Sequence, residues 1–149
     1  MSTVEKVNAG GLQAFDHILS HATKVTNGSG LIFLSGQTPL MNEDGVVPGT
    51  LEEHTTQCLV KLGKVLEAAN SSWDKVVKIN VFLSESSEVN KGTFQEKFKA
   101  MNTAYNKFLQ EVLTAVPGKT ETPKPARSCI QAYGLPGGVD VEIEAIATT

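Results

Sequence analysis

An α+β fold in the order β-β-α-β-α-β-β is predicted for this chain of 149 residues from three observations. Two segments carry apolar residues at the three-and-four spacing of a helix with one buried face. Each of those segments opens with Thr-x-x-Glu, the signature of a capping box. Short apolar or alternating runs bounded by turn residues stand before, between and after them, as strands do. The length suits one domain, spanning 1–149, and no repeat, low-complexity tract or linker divides it.

A first strand is placed near residues 3–8. Residues 11–30 have no clear period, with glycines at 10–11 and Asn-Gly-Ser-Gly at 27–30. Leu31-Ile32-Phe33-Leu34 reads as a short strand, apolar on both sides, that leads into Ser35-Gly36-Gln37, and residues 41–45 form a turn by composition. The first helix is opened by Thr50-Leu51-Glu52-Glu53 and buries Cys58, Leu59, Leu62, Val65, Leu66 and Ala69. Asn70-Ser71-Ser72 ends it. Val77, Ile79, Val81 and Leu83 then alternate with Lys78, Asn80 and Phe82 as a strand. Thr93-Phe94-Gln95-Glu96 opens the longer helix, in which Phe94, Phe98, Met101, Tyr105, Phe108 and Val112 form a stripe that reads as core packing rather than a cofactor site. Prolines at 117, 123 and 125 make 117–125 a loop. Two final strands, about 127–134 and 139–147, are joined by Leu-Pro-Gly-Gly and read as a hairpin.

Two helices can cover only one face of such a sheet. Residues of Leu31–Leu34, with Val139, Val141 and Ile143, are expected to leave apolar surface on the other. Burial against further copies of the chain is the expected remedy, so the protein should be an oligomer.

The composition excludes several classes of function. Hydrophobic residues make up 40% and charged residues 19%, as in an ordinary globular protein. A net charge of -3 lacks the basic excess of a nucleic-acid binder. No apolar run reaches the roughly 18 residues of a membrane span, and the first ten residues resemble neither a secretion signal nor a transit peptide. Cys58 and Cys129 have no metal or CxxC spacing, so they are expected as free thiols and the cytosol as the compartment. There is no GxGxxG, GxxxxGK[ST] or GxSxG. His17, His21 and His54 show no HExxH spacing and join no cysteine cluster, so no metal is expected.

One basic residue stands apart. Arg127 is the only arginine in the chain, at the start of a strand after Pro125-Ala126. A guanidinium presents a rigid fork of donors that matches a carboxylate in a way lysine does not. Two uses fit equally well: anchoring a ligand carboxylate, or a structural ion pair with Glu142 or Glu144.

Four blocks, in order, resemble the RidA/YjgF family of reactive-intermediate deaminases: Ser35-Gly36-Gln37-Thr38-Pro39; Val76-Val77-Lys78 through Val81-Phe82-Leu83; Pro125-Ala126-Arg127-Ser128-Cys129; and Val141-Glu142-Ile143-Glu144-Ala145-Ile146-Ala147. They cover roughly 31–108 and 125–147. The resemblance implies a chorismate-mutase-like fold with both helices on one face of a mixed sheet, and a homotrimer around a central barrel with clefts between subunits. The implied chemistry is hydrolysis of 2-imino and 2-enamino acids to 2-keto acids and ammonia, without metal or organic cofactor. Arg127 matches the carboxylate-binding arginine and Glu142 the acid that positions water. Ser35, Gly36, Asn102 and Cys129 match residues that line the substrate site.

This chemistry suits those residue types. An iminium carbon beside a carboxylate is already electrophilic, so it needs a fixed position and a directed water more than a strong nucleophile. Holding reactants in place lowers a barrier by as much as about 7–11 kcal/mol, and a positioned acid–base group adds roughly 10²–10⁴ in rate. Two departures from the family's pattern stand out. Residues 19–24 contain no tyrosine where the family carries one, so either His21 supplies its hydrogen bond or the substrate range differs. The stretch from Phe108 to Pro125 is longer than usual. Competing expectations are a trimer that binds carboxylated metabolites without turnover, and an RNA-cleaving translation inhibitor.

Overall fold

The computed structural model describes residues 3–12, 19–26, 30–118 and 124–149. Six strands and two helices follow one another as β1 (Thr3–Val7), β2 (Ala22–Thr26), β3 (Leu31–Gln37), α1 (Leu51–Ala68), β4 (Val76–Ser84), α2 (Phe94–Thr114), β5 (Ala126–Ala132) and β6 (Val141–Thr148). The strands form one mixed sheet in the order β1-β2-β3-β6-β4-β5, and only β4 and β5 run parallel.

Both helices start where the capping boxes place them. Thr50 accepts a hydrogen bond from the Glu53 amide at 3.2 Å, and the Glu53 carboxylate accepts from the Thr50 amide at 2.8 Å. Thr93 and Glu96 repeat the exchange on α2. There the Thr93 amide and hydroxyl hold the Glu96 carboxyl below its usual range. Each box satisfies two amides that a helix start would otherwise leave unpaired.

The helices lie on one face of the sheet. Against them stand Ile32 and Leu34 of β3, Ile79, Val81 and Leu83 of β4, and Val141, Ile143, Ala145 and Ala147 of β6, all buried. Burying one such large aliphatic side chain contributes about 1.5–3 kcal/mol. From α1 come Cys58, Leu59, Leu62, Val65 and Leu66, as its spacing predicts. On α2 the buried stripe is displaced from the aromatic one. Met101, Tyr105, Leu109 and Leu113 are buried, whereas Phe94, Phe98, Phe108 and Val112 are half-buried along its flank. Phe108 packs edge-on against Trp73 at 5.2 Å.

Four sequence expectations change. The period-less stretch 11–30 contains β2, which pairs with both β1 and β3; of its five residues only Ala22 and Val25 are apolar, too few to register as alternation. The last two strands are no hairpin, because β4 lies between them. β5 instead pairs parallel with β4, and α2 supplies the long crossover that parallel pairing requires. Val139, Val141 and Ile143 belong to the helix-covered core, not the other face. Val77 is exposed rather than core, because the pairing of β4 with β6 slips a residue between Val76 and Lys78.

No helix covers the second face among the described residues. Its apolar part comes from Phe33 and Ile130, which are 44% and 49% exposed, with Phe82 and Ile146 between them. Lys78, Asn80, Ser128, Glu142 and Glu144 share that face by register.

Candidate active site

Arg127 enters the fold on the outermost strand. It pairs with Ile79, a fully buried residue beneath the helices, so its side chain rises on the helix-bearing face, beside α2. Four side chains of α2 surround it. Nη1 donates to Asn102 Oδ1 at 2.6 Å and lies 3.9 Å from Met101 Sδ. The guanidinium carbon sits 4.6 Å from the centre of the Tyr105 ring and 5.7 Å from that of Phe98. No acidic side chain forms an ion pair with it among the described residues. The alternative of a pair with Glu142 or Glu144 is therefore not realised within the chain.

Cys129 lies two residues further on the same face, half-buried. Burial pushes its thiol up, while the nearby Arg127 charge pulls the other way. It is a protonated thiol at neutral pH and no ready nucleophile. Cys58 is buried in the core, and desolvation likewise drives its thiol upward. Both cysteines are free.

Glu142 belongs to a second group. It pairs with Phe82 across β4 and so lies on the open face. Its carboxyl is pushed up, first by burial and then by the charge of Glu144. Glu144 accepts from Asn80 Nδ2 at 2.9 Å, whereas no hydrogen bond holds the Glu142 carboxylate among the described residues. Gly36 is what makes room for it. A β carbon at position 36 would meet the Glu142 carboxylate, with Cδ only 2.8 Å away. Ser35, next to it, donates its hydroxyl to the Ser20 carbonyl at 2.7 Å, and its amide donates to the His21 carbonyl at 2.8 Å.

The six anticipated residues thus fall into two sets: Arg127, Asn102 and Cys129 beside α2, and Glu142, Gly36 and Ser35 around β3 and β6. Glu142 and Arg127 are two strand spacings apart, about 10 Å, and about as far along the strand direction. They also face opposite sides of the sheet. One chain does not bring them together.

His21 does not stand free to replace a tyrosine. It is 3% exposed, and its Nδ1 accepts from the Ala9 amide at 3.0 Å. His17 lies outside the described residues. His54 is fully buried. Its Nδ1 meets both carboxylate oxygens of Asp140 at 2.9 Å, and Nε2 meets the Pro48 carbonyl at 3.0 Å. Asn90 Nδ2 donates to the same carboxylate at 2.8 Å. The sequence gives no hint of this pair, 86 residues apart. Tyr105 as a platform for Arg127 was also missed; its spacing of three from Asn102 and seven from Phe98, on one side of a helix, was the available signal. Among the described residues no group of three or more His, Cys, Asp or Glu is placed to hold a metal ion. The long stretch after Phe108 is spent in part on extending α2 to Thr114. A groove of about 440 Å³ between α1 and α2, lined by Glu52, Glu53, Thr56, Gln57 and Lys107 among others, contains none of the six residues.

Two helices packed on one face of a mixed six-strand sheet define a class of fold seen elsewhere. The family described as Endoribonuclease L-PSP matches residues 13–149, and the chain belongs to it, the group that includes the YjgF and RidA proteins. Protein HMF1 of Saccharomyces cerevisiae is 41% identical over 128 residues, 86% of this chain and 81% of that one. Reactive Intermediate Deaminase A of Arabidopsis thaliana, a chloroplast protein, is 33% identical over 130 residues, 87% of this chain and 57% of that one. The crystal structure of Escherichia coli TdcF with bound serine superposes with a TM-score of 0.69 at 26% identity, covering 97% of this chain and 98% of TdcF.

Proposed function

We propose that the protein hydrolyses 2-imino and 2-enamino acids to 2-keto acids and ammonia, as a homotrimer whose sites form between subunits. The carrying observation is the state of Arg127: half-buried, unpaired with any described acid, and fixed on three sides by α2. A guanidinium held in that way is suited to a ligand carboxylate. A deaminase relative and a relative crystallised with serine, an amino acid, support the same ligand class.

In this reading Arg127 anchors the substrate carboxylate and sets the imine carbon in place. Glu142 takes a proton from water as oxygen bonds to that carbon, leaving a carbinolamine. Glu142 returns the proton to nitrogen and then takes the hydroxyl proton as the carbon–nitrogen bond breaks, so the carbonyl forms and ammonia departs, to carry that proton away as ammonium. An upward-shifted carboxyl is a stronger base than an ordinary one, and a pKa moved toward the working pH suits a group that must both take a proton and return it. Because Arg127 and Glu142 diverge within a chain, a working cleft takes one from each of two subunits. The apolar side chains Phe33 and Ile130 on the open face support burial against other copies.

A second reading, a trimer that binds carboxylated metabolites without turnover, is favoured by the absence of the family tyrosine and by the engagement of His21 with Ala9. RNA cleavage has less support, because a net charge of -3 opposes phosphate binding. We place the protein in the cytosol. Among the described residues no helix is long and apolar enough to cross a membrane, although three yeast relatives are named as mitochondrial.

Generating imines in situ with an amino-acid oxidase, and following their decay with and without the protein, tests the proposal. Faster decay that scales with protein concentration is expected. Decay at the background rate, together with calorimetric binding of 2-oxobutanoate, would leave the metabolite-binding reading in front.

A further inference from the structure

We infer that Tyr105 and Asn102 are positioning residues for Arg127: the ring fixes the plane of the guanidinium and the amide fixes its rotation, so that the Nε–Nη2 edge is the one offered to a carboxylate. The inference rests on the reading of Arg127 as the carboxylate anchor.

Arg127 stands on an edge strand, where a long side chain keeps much of its rotamer freedom unless something holds it. Tyr105 provides a floor. It is 4% exposed, two turns below the aromatic flank of α2, and its ring centre lies 4.6 Å from the guanidinium carbon. Burial pushes its phenol up, and the Arg127 charge acts against this. The ring therefore stays neutral and offers its electron-rich face to the cation. Phe98, two turns earlier on the same side of α2, limits tilt from 5.7 Å, and is itself stacked on Phe94 at 5.8 Å.

Rotation within that plane is set by Nη1. It donates to Asn102 Oδ1 at 2.6 Å, and Met101 Sδ lies 3.9 Å away. Both contacts belong to α2, so the Nη1 corner is turned into the helix. That leaves the Nε–Nη2 edge, whose paired donors match two carboxylate oxygens. Asn102, three residues before Tyr105, is on the rigid middle of a 21-residue helix. Its amide oxygen thus acts on the substrate through Arg127.

An anchor that holds ground state and transition state alike affects binding more than turnover. Loss of the ring, as in Tyr105→Met, should raise the Kd for 2-oxobutanoate and the KM for the imine together, by about 3- to 30-fold, with kcat within about twofold. Tyr105→Phe keeps the ring and should restore both constants. Asn102→Ala removes only the rotational lock, on the helix surface, and should raise them by roughly 3- to 10-fold. A merely structural role predicts a lower melting temperature and a smaller active fraction at unchanged Kd and KM.

Arg127→Ala separates the two levels of the argument. Full binding of 2-oxobutanoate by Arg127→Ala would overturn the anchor itself. Loss of binding there, with wild-type constants in both Tyr105→Met and Asn102→Ala, would overturn the positioning role alone. Tyr105→Phe behaving like Tyr105→Met would assign the effect to the hydroxyl and overturn the argument from the ring. If Tyr105→Met does not assemble, Asn102→Ala and Tyr105→Phe decide the question.

Discussion

Gly36 and Glu142 occupy one space: the carboxylate of Glu142 lies where a side chain at position 36 would begin. The bulge in the pairing of β3 with β6, between Leu34 and Gln37, brings the two that close. The demand at this position is therefore for absent volume, not for an unusual backbone angle.

Gly36→Ala should accordingly displace the Glu142 carboxylate while leaving the Arg127 anchor intact. Imine turnover is expected to fall by roughly 10² or more, the scale of losing a positioned acid–base group. Affinity for 2-oxobutanoate, read by calorimetry, should change little. Wild-type turnover in Gly36→Ala would mean that Glu142 does not act where it stands.

Glu142→Gln keeps the shape of the site and removes its base. Turnover should fall by roughly 10² or more, with 2-keto acid binding retained. In the wild type, the acid limb of the rate profile should lie above the range of an ordinary carboxylate, because burial first and Glu144 second raise this group. The effect on stability has a definite sign. A carboxyl raised on folding binds more protons folded than unfolded, so the favourable contribution is present below the unfolded pKa and is lost as pH rises through the folded one. Urea unfolding of Glu142→Gln at neutral pH should thus reveal a fold no less stable than the wild type.

Sedimentation equilibrium should give about three times 15.9 kDa across a range of protein concentrations. A stable monomer would contradict both the burial of Phe33 and Ile130 and a site shared between chains.

The His54–Asp140 contact ties the start of α1 to the entry of β6, with Pro48 and Asn90 as further partners. Both side chains are fully buried. His54→Ala or Asp140→Ala should cost about 1–3 kcal/mol, the range for leaving a buried hydrogen-bonding group without its partner. Chemical unfolding of the single and double variants measures it. A double variant no worse than either single one would identify the two as a unit.

Much of this architecture is legible from local chemistry. The two Thr-x-x-Glu boxes mark both helix starts, and the α1 spacing names its buried face, because helix formation depends on neighbours within a turn or two. Pairing between strands depends on distant residues, and there reading from sequence fails. Gly137 and Gly138 look like a hairpin turn, yet β5 joins β4. The site divides in the same way. Arg127 stands out because it is the only arginine, and the resemblance to relatives points to Glu142. That the two diverge is a matter of register parity, which no local pattern encodes. Tyr105 illustrates the same limit: its helical stripe says "buried", and the cation above it comes from a strand beyond a long crossover.

The divergence of Arg127 and Glu142 has a genetic consequence for the proposed assembly. Two alleles that are each inert, Arg127→Ala and Glu142→Gln, damage different contributors to a shared cleft. Co-expressed at equal levels, they would form mixed rings in which about one cleft in four receives an intact arginine from one neighbour and an intact glutamate from the other. Two dead proteins would then complement each other within a single particle, and the recovered fraction would report directly on how the subunits share their sites.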